Sequence, residues 1–153
     1  MAYLDKLPQG IRAALEKLEC PSIELTSFVQ RQSPKKARVA IVTTAALSTR
    51  EDKKFGIGEY DYRVIPGDVQ TGDLIMSHVS PNYDRTGFQQ DLNTVFPIDR
   101  LRELESDKEI DSVADYHYSL MGSTDPRLME STAETIASML KKDSVNTLLL
   151  APV

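Results

Sequence analysis

The sequence predicts an α/β fold, a three-layer sandwich built on a mostly parallel sheet, and three observations predict it. Val39-Ala40-Ile41-Val42-Thr43-Thr44 is a β-branched apolar run without polar alternation, the pattern of a strand buried on both faces. Val145 to Val153, carrying Leu148-Leu149-Leu150, reads as a second buried strand. Between them, strand-like stretches alternate with segments of helical apolar period, which sets helices against both faces of the sheet. With 153 residues, 41% hydrophobic and 27% charged, the chain can bury one core, and a single domain over 1–153 is expected.

Taken in order, Ile11, Ala14, Leu15 and Leu18 recur at helical spacing, and Cys20-Pro21 stops that helix because proline disfavours helical geometry in the residue before it. Ser33 to Arg38 is a polar lead-in to the first core strand. The stretch from Ala45 to Asp61 is polar and glycine-bearing and reads as loop, after which Tyr60 to Ile65 alternates as an edge strand, turned by Pro66-Gly67-Asp68. Asp73 to Val79 reads as another strand. It opens into Ser80 to Asn93, a long polar segment without apolar period, and such segments inside a compact domain usually carry function. Pro97 suits the first position of a helix with Ile98, Leu101 and Leu104 on one stripe. Val113 to Met121 is strand-like and Gly122-Ser123-Thr124 turns the chain. Asp125 can then cap a helix opening at Pro126, because its carboxylate accepts a free backbone N–H. Met129, Ala133, Ile136, Ala137 and Leu140 give that helix an apolar face, and Lys141-Lys142 suit the negative end of its dipole.

Charge and composition exclude several functions. Eighteen Lys and Arg against 23 Asp and Glu leave a net charge of −5, which argues against nucleic acid and against an anionic membrane surface as partners. The single cysteine, Cys20, forms no internal disulfide and fits a reducing compartment. Asp5, Lys6 and Pro8 interrupt any secretory leader, and no apolar run is long enough to span a bilayer, so a cytoplasmic location is expected. There is no Walker loop, nucleophile elbow, HExxH or CxxC. Gly56-Ile57-Gly58 leads into Glu59 and a strand instead of a helix N-terminus, which makes it a flexible loop and not a phosphate cradle. Cys20, before a proline and without a nearby histidine, reads as a small buried hydrophobe.

The chemistry-bearing residues are few. His78 and His117 each fall near the end of a predicted core strand, so both could reach one crevice at the top of the sheet. With Asp84 or Asp91 they could form a metal triad, yet histidines at strand ends more often serve as hydrogen-bonded structural residues, and no metal is expected. Roles as a general acid or in orienting substrate suit them better. The segment 82–93 offers a forked Arg85, the Thr86 hydroxyl, and amides at Gln89, Gln90 and Asn93, groups suited to a small carboxylate or amine. A hydrogen-bonded surface loop explains the same composition equally well. If the first reading holds, Arg85 and His117 converge at the carboxyl edge of the sheet near Val153. The chain stops at the carboxyl end of its most hydrophobic strand, where open α/β sheets place ligands and catalytic loops. A covering helix would normally follow, so a missing C-terminal part and self-association through the bare flank are expected.

Four stretches together resemble one family: Ser77-His78-Val79-Ser80, Asp84-Arg85-Thr86-Gly87-Phe88-Gln89-Gln90-Asp91-Leu92-Asn93, Val95-Phe96-Pro97-Ile98-Asp99-Arg100-Leu101 and Asp115-Tyr116-His117-Tyr118-Ser119-Leu120-Met121-Gly122. They are similar to the selenoprotein B family of glycine, sarcosine, betaine and D-proline reductases. The resemblance implies that a selenocysteine, or a cysteine in its place, directly follows the strand ending Leu148-Leu149-Leu150-Ala151-Pro152-Val153. The 153 residues would then be the N-terminal part of a longer selenoprotein interrupted at a UGA codon, inactive alone and needing no further cofactor. The implied chemistry is reductive C–N cleavage of a small amino-acid-like substrate. The selenolate displaces the amine, and the resulting selenoether or mixed selenide sulfide is reduced by thiols, with a partner subunit activating the nitrogen in the fermentative enzymes. On this reading His78, His117 and Tyr118 are candidate catalytic residues, and Arg85, Thr86, Gln89, Gln90 and Asn93 bind substrate. The alternative is a non-catalytic α/β domain that binds a small anionic or amino-acid ligand or a protein partner in the same crevice.

Overall fold

The computed structural model describes residues 4–17, 29–30, 33–81 and 83–153. The chain separates into two compact units, residues 1–30 and 31–153. In the first, a 3-10 turn at Leu4–Lys6 precedes helix α1 (Gln9–Glu16), where Arg12 Nε donates to Glu16 Oε1 at 2.7 Å across one turn. The predicted helix is present. Its predicted stop at Cys20-Pro21 lies outside the described residues.

The second unit contains β1 (Arg38–Thr43), β2 (Leu47–Thr49), β3 (Arg63–Pro66), β4 (Leu74–Met76), α2 (Thr86–Gln90), α3 (Ile98–Ser106), β5 (Ser112–Val113), β6 (Tyr116–Ser119), α4 (Glu130–Lys142) and β7 (Thr147–Ala151). The run that reads as doubly buried is the central strand. β7 pairs with β1 in parallel from Val39↔Thr147 to Thr43↔Ala151, and β5 and β6 pair in parallel with its other edge. β3 closes that side antiparallel to β6, with Ile65 opposite His117. Alternate residues of β1 feed two cores. Val39 and Ile41 join Phe96, Ile98 and Leu101 on the α3 face, while Ala40 joins Tyr118, Ile136 and Leu140 on the α4 face. Helix, sheet and helix form the three layers, and the mostly parallel α/β architecture is as the sequence predicts.

Five local readings are corrected. Asp73 to Val79 does not enter the main sheet: only Leu74–Met76 is strand, and it pairs antiparallel with β2, which lies in the stretch read as loop. The strand read as Val113 to Met121 begins at Ser112 and is interrupted. Between Val39↔Val113 and Val42↔Tyr118, three steps on β1 face five on its partner, so two extra residues bulge out around Ala114 and Asp115. Gly67 packs its backbone against the carbonyls of Ala114 and Asp115 there and has no room for a Cβ. The polar stretch 80–93 holds the short helix α2 and a 3-10 turn at Leu92–Thr94. On α4 the buried face runs through Thr132, Ile136 and Leu140 while Ala133 and Ala137 are exposed, because the Thr132 hydroxyl donates to Tyr60 O at 2.9 Å and turns that side inward. Asp125 does cap the segment, accepting from Arg127 N at 3.0 Å ahead of a 3-10 turn at Pro126–Met129. Finally, β7 is not a buried strand. It lies at an edge, with Leu148 43%, Leu149 37% and Leu150 65% exposed.

Candidate active site at the carboxyl edge of the sheet

The three parallel strand ends meet in a narrow space. Past β1, Thr44 N donates to Ala151 O at 3.2 Å, and the Thr44 hydroxyl accepts from Val153 N at 2.8 Å. Past β6, Gly122 N donates to Thr44 O at 3.0 Å. A Cβ on Gly122 would stand 2.7 Å from Val153 O, closer than real side chains come, and a tight 3.0 Å from Thr44 O, so glycine is what allows the ends of β1, β6 and β7 to converge as they do. Ser119 Oγ, at the end of β6, accepts from Leu47 N at 2.7 Å and ties β2 to the same edge. Ala46 turns the chain between β1 and β2 in a left-handed conformation, φ 54°, uncommon for a residue with a side chain and a form of strain that gathers at functional sites.

That turn also holds the loop bearing His78. Ser77 N donates to Ala46 O at 3.0 Å, and Val79 packs with Ala46, Phe55 and Met121. His78 is buried. Its Nδ1 accepts from Ser80 N at 3.2 Å, which leaves the proton on Nε2, an atom buried without a partner among the described residues. Burial, with the nearby Arg85 charge, lowers its pKa below the usual histidine range, so the ring is neutral near pH 7. Arg85 spans the loop from within: its guanidinium donates to His78 O at 2.6 Å, Ser80 O at 3.1 Å and Tyr83 O at 3.5 Å. Tyr83 and Phe88 of this segment belong to the same apolar cluster as Val153.

The remaining candidates separate. His117 sits within β6 on the α3 face, fully buried, its ring edge-on to Phe96 at 5.5 Å and its Nδ1 accepting from Ile41 N at 3.0 Å. The charges acting on it are Arg102, Asp143 and Arg38, not Arg85, and burial drives its pKa down to about 4. Among the described residues Arg85 and His117 share no hydrogen bond, ring contact or charge interaction. β4, which leads to His78, lies outside the parallel sheet that carries His117. Tyr118, one residue on, faces α4. Thr86, Gln89 and Gln90 are exposed on α2. Asn93 is engaged: its amide donates to Asp91 and Asp99, and its Oδ1 accepts from Asp99 N at 3.1 Å in the first turn of α3. Asp84 is occupied with Thr86, whose hydroxyl and N–H hold its pKa below the ordinary range. Among the described residues no three His, Cys, Asp or Glu side chains gather as a metal site, and no helix is long and apolar enough to cross a membrane. Thr44, Ala46 and Gly122 were not singled out by their chemistry. Their signal in the sequence is only a turn at the end of a strand.

Residues 34–152 match the family described as Glycine/sarcosine/betaine reductase selenoprotein B. The D-proline reductase subunit gamma of Acetoanaerobium sticklandii is 36% identical over 115 residues, 73% of this chain and 47% of that protein, so the chain spans about half the length of this curated relative. No solved structure gives a comparable match. The family match runs from the lead-in of β1 to the last residue but one of β7's extension, and so takes in the strand ends, the His78 loop and Gly122 together. On that evidence the chain belongs to the glycine/sarcosine/betaine reductase selenoprotein B family.

Proposed function

We propose that the chain forms the scaffold and substrate-facing edge of a reductase of the selenoprotein B type, acting on a small amino-acid-like substrate. A selenocysteine or cysteine following Val153 would supply the nucleophile for reductive C–N cleavage, with the two electrons drawn from a thiol reductant that leaves as a disulfide. The observation that carries this reading is the convergence at Gly122: it brings the end of β7 against the ends of β1 and β6, at the edge where open α/β sheets do their chemistry. The residues present suit such a group, because the hydrogen-bond partner described at Val153 is the Thr44 hydroxyl, a neutral dipole.

In this reading His78 works as a neutral donor. Its Nε2–H lacks an acceptor among the described residues and its depressed pKa keeps it uncharged, so it orients a substrate heteroatom and does not serve as a strong acid. Arg85 shapes the loop through three carbonyls, and substrate recognition falls to Thr86, Gln89 and Gln90 on the exposed face of α2. The relative is named as a subunit, and we extend that to a protein partner for this chain. The test is the coding sequence beyond the Val153 codon together with alkylation of the product it encodes. An in-frame TGA or cysteine codon, and a product labelled by iodoacetamide at that residue, are expected. A TAA or TAG with no continuing frame, or an unreactive residue there, would overturn the proposal.

A further inference from the structure

On its α4 face the sheet leaves a groove of about 410 Å³ between β3, β6 and the last turn of α4, a size that suits a small organic molecule. Its walls are Val64, Tyr116, Tyr118 and Met139, and its rim carries Lys142 and Asp143. Val64 and Tyr116 remain 37% and 49% exposed, so α4 does not cover this part of the sheet. The ring of Tyr118 is fixed: the residue is 2% exposed and packs edge-to-face with Tyr62 at 6.1 Å. Its hydroxyl has no hydrogen-bond partner among the described residues, yet it is not one of the polar atoms sealed in the core, so it opens into the groove.

The charges at the rim sort into used and unused. Arg38 is satisfied by Asp143 Oδ1, Asp143 O, Val113 O and Ser112 Oγ, with Asp115 at 3.2 Å, so the two carboxylates near the groove share one partly buried guanidinium, which is spent chiefly on Asp143 while Asp115 stays largely solvated. Asp143 Oδ2 also accepts from Asp115 N at 2.9 Å. Lys142 forms no ion pair among the described residues. The groove therefore offers an apolar, ring-lined body and two uncommitted donors, the Tyr118 hydroxyl and the Lys142 ammonium. We propose that it is a second site, for a small aromatic carboxylate whose ring lies against Tyr116, Val64 and Met139 and whose carboxylate takes hydrogen bonds from Tyr118 and Lys142. An amine would find Asp143 already spent on Arg38 and on Asp115 N, and Asp115 solvated at the rim, whereas the two groups without partners among the described residues are both donors.

The test uses the 153-residue chain, titrated with 3-phenylpropionate, 3-phenylpropanol and 3-phenylpropylamine and followed by tyrosine fluorescence, which no tryptophan obscures, and by calorimetry. The carboxylate should bind most tightly of the three. Tyr118→Phe, which keeps the ring and its contact with Tyr62, and Lys142→Gln, at an exposed position, should each weaken it roughly tenfold without loss of thermal stability. Equal binding of all three compounds, preference for the amine, or unchanged affinity in both variants would overturn the assignment.

Discussion

Acidification from pH 7.5 to 5 should destabilise the fold chiefly through His117. The imidazole is fully buried, and its Nδ1 is spent on Ile41 N, so a proton taken up there in the folded state has neither water nor an acceptor to offset it. With a pKa of about 4 in the fold against an ordinary 6.5, the unfolded chain binds the proton more tightly across the interval between the two values. Stability is therefore highest above about pH 6.5 and falls as pH drops toward 4. One pKa unit corresponds to about 1.4 kcal/mol, which makes the loss about 2 kcal/mol by pH 5 and on the order of 3 kcal/mol at the low end. His78, whose pKa is lowered too, contributes in the same direction. Carboxylates held below their usual range, such as Glu59 beside Arg63, act only at lower pH. Urea unfolding at half-unit steps of pH gives the slope, and the ring resonances of the two histidines, assigned with His78→Asn, give the individual midpoints. A His117 midpoint near 6.5 in the folded protein, or a stability curve flat between pH 7.5 and 5, would refute the argument.

Gly122→Ala should cost about 2 kcal/mol, because the new methyl meets backbone oxygens of two other chain segments, which must shift to admit it; amide exchange at Thr44 and Val153 should rise, and unchanged protection would count against the convergence. Arg63→Met removes the partner of Glu59, the donor to Lys53 O at 2.7 Å and the cation over the Phe55 ring, and should destabilise by about 3 kcal/mol while opening Lys53 and Lys54 to trypsin; wild-type resistance would argue against it. Self-association through β7 should respond to Leu150→Lys, since a charge on an apolar edge strand blocks pairing; light scattering that shows the same mass for both chains would remove β7 as the contact.

Much of the architecture could be read from local chemistry. The doubly apolar run at Val39–Thr43 had to be interior, and the Asp125 cap and the helical stripe at Ile98 and Leu101 follow from backbone needs confined to a few residues. The family, too, lay in the residues, since its motifs are contiguous stretches such as Asp84 to Asn93. What local pattern could not supply is partnership. Asp73 to Val79 has the composition of a core strand, but composition does not say which sheet a strand joins, and pairing with Leu47–Thr49 took it out of the parallel sheet that carries His117. His117 reads as a strand-end histidine until Phe96, fifty-odd residues from Ile41 in sequence, closes over it. Three leucines in a row predict burial, whereas exposure depends on whether another strand exists beside them. Gly122 reads as an ordinary turn, and only the approach of Val153 and Thr44 from distant parts of the chain makes the missing Cβ a requirement. Local pattern determines which segments are apolar, capped or turned; the tertiary structure alone decides which of them meet, because those contacts are formed between residues that carry no record of one another in sequence.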